Sequence, residues 1–361
     1  MFNSRNAKTA FGLVRHSEKY RILAVIDQNF AGQDAGEIVT GKNLNIPIHA
    51  SIKVFLREQG SNLNIATENF ARGLHAILGV ATPGGVIPNE LRQELLDALS
   101  HGMHIVNGLH HYLSDDTELK QTAEKFKAEL IDIRKPKQAK EHAFWTGNIR
   151  NVRAPRIAML GTDCALGKRT SSLWLRDACR KNGIHTEMIY TGQTGKLQGG
   201  RYGFILDSTL NDFVSGELES AIISCDQEEQ PDLILLEGQS SLRNPSGPCG
   251  SEYLCSAQAK GVILQYAPKQ KFYLADDDRE LWPMPPIEEE LELIRLYGSE
   301  TLALTLNSFN LTKTELKTEQ KNLETGLGLP VVCPMEEGME RLVPVVQEFI
   351  ALQRANTESA K

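Results

Sequence analysis

The residues with the clearest chemical meaning are Gly161 to Thr170, GTDCALGKRT. They follow an apolar run, 156–160, and open a stretch with helical spacing, 168–181. A glycine loop between a strand and a helix turns backbone N–H groups toward an anion, and the helix dipole adds partial positive charge. Lys168 adds a full charge. The segment therefore reads as a phosphate-binding loop made by Gly161, Thr162, Cys164, Gly167, Lys168, Arg169 and Thr170. Its spacing is G-x5-G-K, one residue longer than the common G-x4-G-K. In the common loop a Ser or Thr follows the lysine and ligates Mg²⁺. Here Arg169 follows. A guanidinium repels a cation, and Thr170 faces another direction on the helix. The expectation is a polyphosphate site without tightly held Mg²⁺ and no resident metal. The pyrophosphate of coenzyme A fits it better than Mg·ATP.

Other polar residues end strands on the same sheet edge, where ligands of open α/β sheets sit. Glu237 tips the apolar run 232–236 and is a candidate metal holder, general base or solvated strand-end acid. Asp163, inside the loop, either orients substrate or caps the loop. Gln193 and Thr194, in TGQTG, and Gln239, followed by Ser240 and Ser241, offer hydrogen bonds to a substrate. Arg201, after Gly199 and Gly200, offers a fork for a carboxylate, or is a surface arginine on a polar loop. In the first third, Thr82-Pro83-Gly84-Gly85 and Asn107-Gly108-Leu109-His110 also end strands. His110 is a candidate acid or base, with His111 beside it. Cys164 reads as a nucleophile or as a small packing residue.

These residues need a scaffold, and the apolar pattern supplies one. Runs at 21–27, 76–81, 104–106, 156–160, 186–190, 232–236, 261–266, 301–306 and 330–333 read as buried parallel strands. Helical spacing falls at 88–99, 168–181, 207–224 and 339–353, and strands alternating with helices imply βαβ units. The fold class is α/β: a Rossmann-like parallel-sheet domain, 1–140, then a P-loop NTPase-like α/β domain, 141–361. The polar stretch 135–153 is the expected linker. A chain of 361 residues with 41% hydrophobic and 24% charged residues is ordinary for a globular protein. A net charge of -7 without a basic run argues against nucleic acid. No run approaches the apolar length of a membrane span, about 18 residues. The N-terminus lacks the apolar core of a signal peptide. Six cysteines, none in a C-x-x-C pair, read as reduced thiols of a cytoplasmic protein.

GTDCALGKRT, TGQTG with GGR, LLEGQSSLRNPS, TPGGVIP and NGLHHYL together resemble the D-glutamate N-acetyltransferase-like (DgcN-like) family, formerly a domain-of-unknown-function family. The resemblance runs from about residue 8 to residue 350. It implies the same two domains and transfer of acetyl from acetyl-CoA to D-glutamate or a similar acidic amino acid. On that reading the loop holds the CoA phosphates, and Gln193, Thr194, Arg201 and Gln239 hold the substrate. Glu237, or alternatively His110 or Asp163, takes a proton from the substrate ammonium, and the enzyme is a homo-oligomer. The second domain is more distantly similar to dethiobiotin synthetase, which shares the longer loop and the Glu-Gly pair after the strand. That likeness keeps an ATP/Mg-dependent ligase or kinase open as an alternative. A non-catalytic nucleotide-sensing regulator is a third.

Overall fold

Apolar runs bounded by glycines and polar turns become parallel strands throughout the chain, each buried where helices cover it. A computed structural model describes residues 2–63, 73–82, 87–274 and 279–359. They divide into two units: Met1–Pro136 with Gln193–Gly199, and Lys137–Gly192 with Gly200–Lys361. Pro83, Gly84 and Gly85 lie outside the described residues. No helix among the described residues is long and apolar enough to cross a membrane.

Among the described residues, the first unit holds five short parallel strands. β1 (Val25–Ile26) pairs with β2 (Ile48–His49), and β3 (His75–Ile77), β4 (His104–Asn107) and β5 (Leu130–Asp132) pair in that order. The apolar run at 21–27 suggests a longer strand, but only two of its residues enter a ladder. The partner segment reaches β2 through Pro47, which lacks an N–H and limits the ladder there. Helices α1 (Lys8–Arg15), α2 (Ala35–Thr40), α3 (Ile52–Leu63), α4 (Asn89–Ser100) and α5 (Thr117–Phe126) surround them. Leu95 and Leu99 of α4 and Leu119 of α5 bury against Ile105 of β4. Asp116 caps α5 through the N–H of Leu119 and takes a two-bonded fork from Arg92 of α4 at 2.6 and 3.0 Å.

The second unit is built on a seven-stranded sheet whose pairings are all parallel. Its strands are β6 (Arg156–Gly161), β7 (Thr186–Tyr190), β8 (Tyr202–Gly203), β9 (Leu233–Glu237), β10 (Gly261–Tyr266), β13 (Glu300–Leu306) and β14 (Val331–Val332). The order across the sheet is β14-β13-β10-β6-β9-β7-β8. A separate antiparallel pair, β11 (Phe272–Leu274) with β12 (Glu280–Pro283), follows β10. Side chains alternate between the faces of the central strands, and both faces are buried. Ile157, Met159, Leu233, Leu235 and Ile263 join one core with helix α6 (Lys168–Lys181) and the C-terminal helix Val343–Ser359. Ala158, Leu160, Ile234, Leu236, Val262 and Leu264 join the other with helix α7 (Asn211–Glu229). Two covered faces explain why these strands read as continuous apolar runs.

From Lys137 onward, the stretch expected to be a linker is part of this unit. Glu217, on α7, accepts from the Lys137 ammonium (2.7 Å), His142 Nδ1 (3.0 Å) and the Ala143 N–H (3.1 Å). Glu219, 2% exposed, accepts from the N–H and hydroxyl of Thr146 and the N–H of Ile149. Burial is the largest single influence on the Glu219 carboxyl and by itself raises its pKa. The hydrogen bonds together outweigh burial and hold the pKa below its ordinary 4.5. Glu217 shows the same balance, with Lys137 leading the opposing bonds. A carboxyl with a depressed folded pKa stabilises above its unfolded value, and that stability is lost as pH falls through the folded one. Acid unfolding of the native chain is therefore expected to steepen below pH 4.5. Glu219→Gln is expected to lower stability at pH 7 and flatten the acid dependence. Urea melts of both proteins at pH 7 and pH 4 check this; equal acid dependence would contradict it.

Candidate active site

The loop Gly161–Thr170 joins β6 to α6, as its sequence predicts. The first N–H groups of any α-helix lack intrahelical acceptors. Gly167, the N-cap of α6, has no side chain to satisfy them and sits at φ 104°, a conformation that glycine tolerates. The helix start thus keeps its donors for an anion. Gln265 of β10 steadies the base of the loop. Its carbonyl accepts the Thr162 N–H (3.0 Å), and its Oε1 accepts the hydroxyls of Ser171 (2.7 Å) and Thr305 (2.8 Å). Asn307 donates to the Leu166 carbonyl on the far side.

Asp163 is 1% exposed and lies beneath the loop rather than on its open face. Its carboxylate accepts from the Cys164 N–H (2.7 Å), Asn244 Nδ2 (2.8 Å) and Gln270 Nε2 (2.5 Å). These bonds hold the shape of the loop. Lys168, 7% exposed, donates to the carbonyls of Asp163 (2.6 Å) and Ser240 (2.8 Å). Ala165 and Ser240 both hold left-handed backbone, φ 57° and 42°. Such residues cost about 1–3 kcal/mol each and cluster at functional sites. Ser240 thereby brings its carbonyl to the loop lysine. Cys164 is exposed, its sulfur 3.5 Å from the Ser240 hydroxyl, and Thr170 is half-buried in the first turn of α6.

Arg169 donates from Nη1 to Oε2 of Glu237 at 2.7 Å, with both side chains largely buried. The same Oε2 accepts the Thr191 N–H (3.1 Å), and the Thr191 hydroxyl donates to the Glu237 carbonyl (2.6 Å). Gln239 donates to that hydroxyl at 3.1 Å, which puts it on the same rim. Glu237, Thr191 and Gln239 are thus joined to the residue after the loop lysine. The Glu-Gly pair has a steric reason. The Gly238 N–H bonds the Met159 carbonyl, and a Cβ there would sit 2.3 Å from that oxygen.

Other candidates lie elsewhere. Arg201 is not on the loop's edge of the sheet. Its guanidinium pairs with Glu228 and Glu229 at the end of α7 and stacks over Tyr202. Glu229 is grouped with His185 and Glu187, at the amino end of β7, which is the opposite edge. There two surface carboxylates match its charge, away from the loop. Gln193 and Thr194 are not in a loop but begin a short helix, Gln193–Gln198, that belongs to the first unit. There Gln193 accepts from Arg134 (3.0 Å), and Thr194 shares a hydrogen bond with Thr9 (3.0 Å). His110 and His111 are exposed in the first unit, after β4. The fixed element of their turn is Asn107, which bonds Leu109, His111 and Asp132. Sequence reasoning missed Asn244, Gln265 and Gln270. Their available signal was polar residues at or just beyond the carboxyl ends of apolar strands.

Comparison with known proteins agrees with the fold. Residues 143–343 match the family described as a domain of unknown function (DUF1611_C), P-loop domain. Residues 28–136 match a domain of unknown function (DUF1611_N), Rossmann-like domain. A Pseudoalteromonas sp. protein named D-glutamate N-acetyltransferase is 29% identical over 276 residues, 74% of this chain and 79% of the relative. One of the same name from Tritonibacter scottomollicae is 29% identical over 310 residues, 82% and 90%. The crystal structure of a DUF1611 family protein from Anabaena variabilis ATCC 29413 superposes with a TM-score of 0.82 at 27% identity, covering 95% of each chain.

If Arg169 and Glu237 stabilise each other, removing one strands a buried charge. Arg169→Met is expected to destabilise the second unit by about 3–5 kcal/mol. The double variant Arg169→Met/Glu237→Met is expected to recover much of that loss. A urea double-mutant cycle measures the coupling; additive losses would contradict it.

Proposed function

Because this chain belongs to the DUF1611 family, with its Rossmann-like and P-loop domains, we propose that it is an N-acetyltransferase moving acetyl from acetyl-CoA to D-glutamate or a similar acidic amino acid. The relatives named D-glutamate N-acetyltransferase support the reaction class. The observation that carries the choice of cosubstrate is the Arg169–Glu237 pair. In a Mg·ATP enzyme, the hydroxyl after the lysine and the strand-end acid hold the cation. Here that hydroxyl is replaced by a guanidinium, and the acid is bonded to it. Such a site favours a pyrophosphate that brings no metal of its own.

In this reading the α6 start and Lys168 hold the CoA pyrophosphate, and Arg169 contributes a fixed positive field. The substrate ammonium must lose its proton before its nitrogen lone pair can attack the thioester carbonyl. The C–N bond forms, the C–S bond breaks, and the second proton shed by the nitrogen goes to the departing thiolate, so that CoA leaves as the thiol. Glu237 is the rim carboxylate for the first proton. Both of its side-chain bonds fall on Oε2, so Oε1 faces the task while Oε2 keeps Arg169 in place. Gln239 lies beside it to bond the amino acid.

The test is thiol release from acetyl-CoA in the presence of D-glutamate. Lys168→Ala is expected to raise the acetyl-CoA KM at least about tenfold, the loss of one charge-assisted bond. Glu237→Gln retains an oxygen acceptor for Arg169. It is expected to lower kcat about a hundredfold and remove the acidic limb of the pH profile. Mg²⁺-dependent ADP formation from ATP without thiol release would replace this reading with the ligase or kinase.

A further inference from the structure

The first unit contains a cavity of about 710 Å³ that the proposed reaction does not use. Arg15, at the end of α1, lines it with His16, Tyr20 and Arg21. Leu23 and residues 44–47 complete much of the wall. The flanking segments lead into β1 and β2 from their amino ends. The cavity therefore lies opposite the carboxyl ends, where parallel α/β sheets usually bind ligands.

Its charge is one-sided. Among the described residues no acidic side chain lines it. His16 bonds Glu18, which is outside the lining. Arg15 has one long bond, from Nη2 to the Val39 carbonyl at 3.3 Å, and its guanidinium lies 5.8 Å from the Phe11 ring centroid. Its Nε is buried and has no acceptor among the described residues. Burial, the dominant influence, pushes its pKa down, as expected of a cation short of a counter-charge. Arg15 as a whole is half-buried, and a cation partly withdrawn from water is normally paired, because it loses hydration. No carboxylate pairs with Arg21 among the described residues.

We propose that this cavity binds a small organic anion, a carboxylate or phosphate ester, held by the forks of Arg15 and Arg21, with its apolar body against Leu23, Ile46 and Pro47. A guanidinium fork matches both acid groups, and the volume is that of an ordinary small-molecule site. The apolar wall separates such a ligand from a bare ion.

Titration calorimetry on the full chain tests this with benzoate, phenyl phosphate and inorganic phosphate. One of the two aromatic anions is expected to bind with a Kd below about 1 mM. The stronger of them identifies the acid group, and inorganic phosphate is expected to bind more weakly. Arg15→Met keeps the apolar stem. It and Arg21→Met, at an exposed position, are each expected to weaken binding about tenfold. Lys168→Ala, in the other unit's loop, is expected to leave it unchanged. Unchanged binding in both arginine variants, loss in Lys168→Ala, or no binding of either aromatic anion would overturn the proposal. Because the readout is binding, it stands or falls separately from the acetyltransferase reading.

Discussion

A buried guanidinium and a buried carboxylate constrain this molecule more than any other pair. Arg169 leaves the first turn of α6 and meets Glu237 at the tip of β9. Each ion alone would cost several kcal/mol in lost hydration, so they are tolerated only together. Their geometry fixes much else. Glu237 must end a strand adjacent to β6, and β9 does. The next strand, β7, must deliver the Thr191 N–H to the same oxygen. Gly238 must be glycine, because β6 passes too close for a Cβ. In the proposed reading the pair also bears on what the loop accepts. The strand-end acid, which in a Mg·ATP site helps hold the cation, is here engaged by Arg169.

The scaffold meets these demands by burying both faces of its sheet and by spending acids inside it. Helix α7 turns Glu217 and Glu219 inward, where they bind the segment 137–149 that leads to β6. These carboxylates replace backbone pairing that an irregular segment cannot make for itself. Strand β6, and with it the loop, is therefore approached through an anchored chain.

How much of this could be read in advance follows from how local each feature is. The loop, α6, β7 and β10 have bounds that match their sequence patterns, because each pattern is continuous and flanked by turn residues. The short strands of the first unit were less legible, since partner length, not the apolar run itself, sets their extent. The anchoring by Glu217 and Glu219 was not legible, because nothing in a helix's own sequence states which acid has backbone donors waiting. The helix at Gln193 to Gln198 has no clear sequence signal around Gly195, yet Leu197 is buried and the segment folds as a helix with the first unit. Arg201 shows the limit of reading by residue type. Its partners lie 27 and 28 positions later, and only folding reveals that its fork is already filled.

The two cations of the loop are held differently, and the difference separates their roles. Arg169 is tied to a carboxylate, so an incoming phosphate must compete with a full charge. Lys168 donates to two neutral carbonyls. Hydrogen bonds to ionised acceptors are roughly twice as strong as those to neutral ones. Exchange of a carbonyl for a phosphate oxygen is thus favourable for the lysine, while exchange of Glu237 for phosphate gains the arginine little. In the proposed reading the lysine is the cation that changes partners on binding, and the arginine keeps its own. A loop arranged in this way before a ligand arrives lowers the ordering cost of binding. On that reading affinity rests on the exchangeable charge of Lys168, while the Arg169–Glu237 pair keeps the loop's shape.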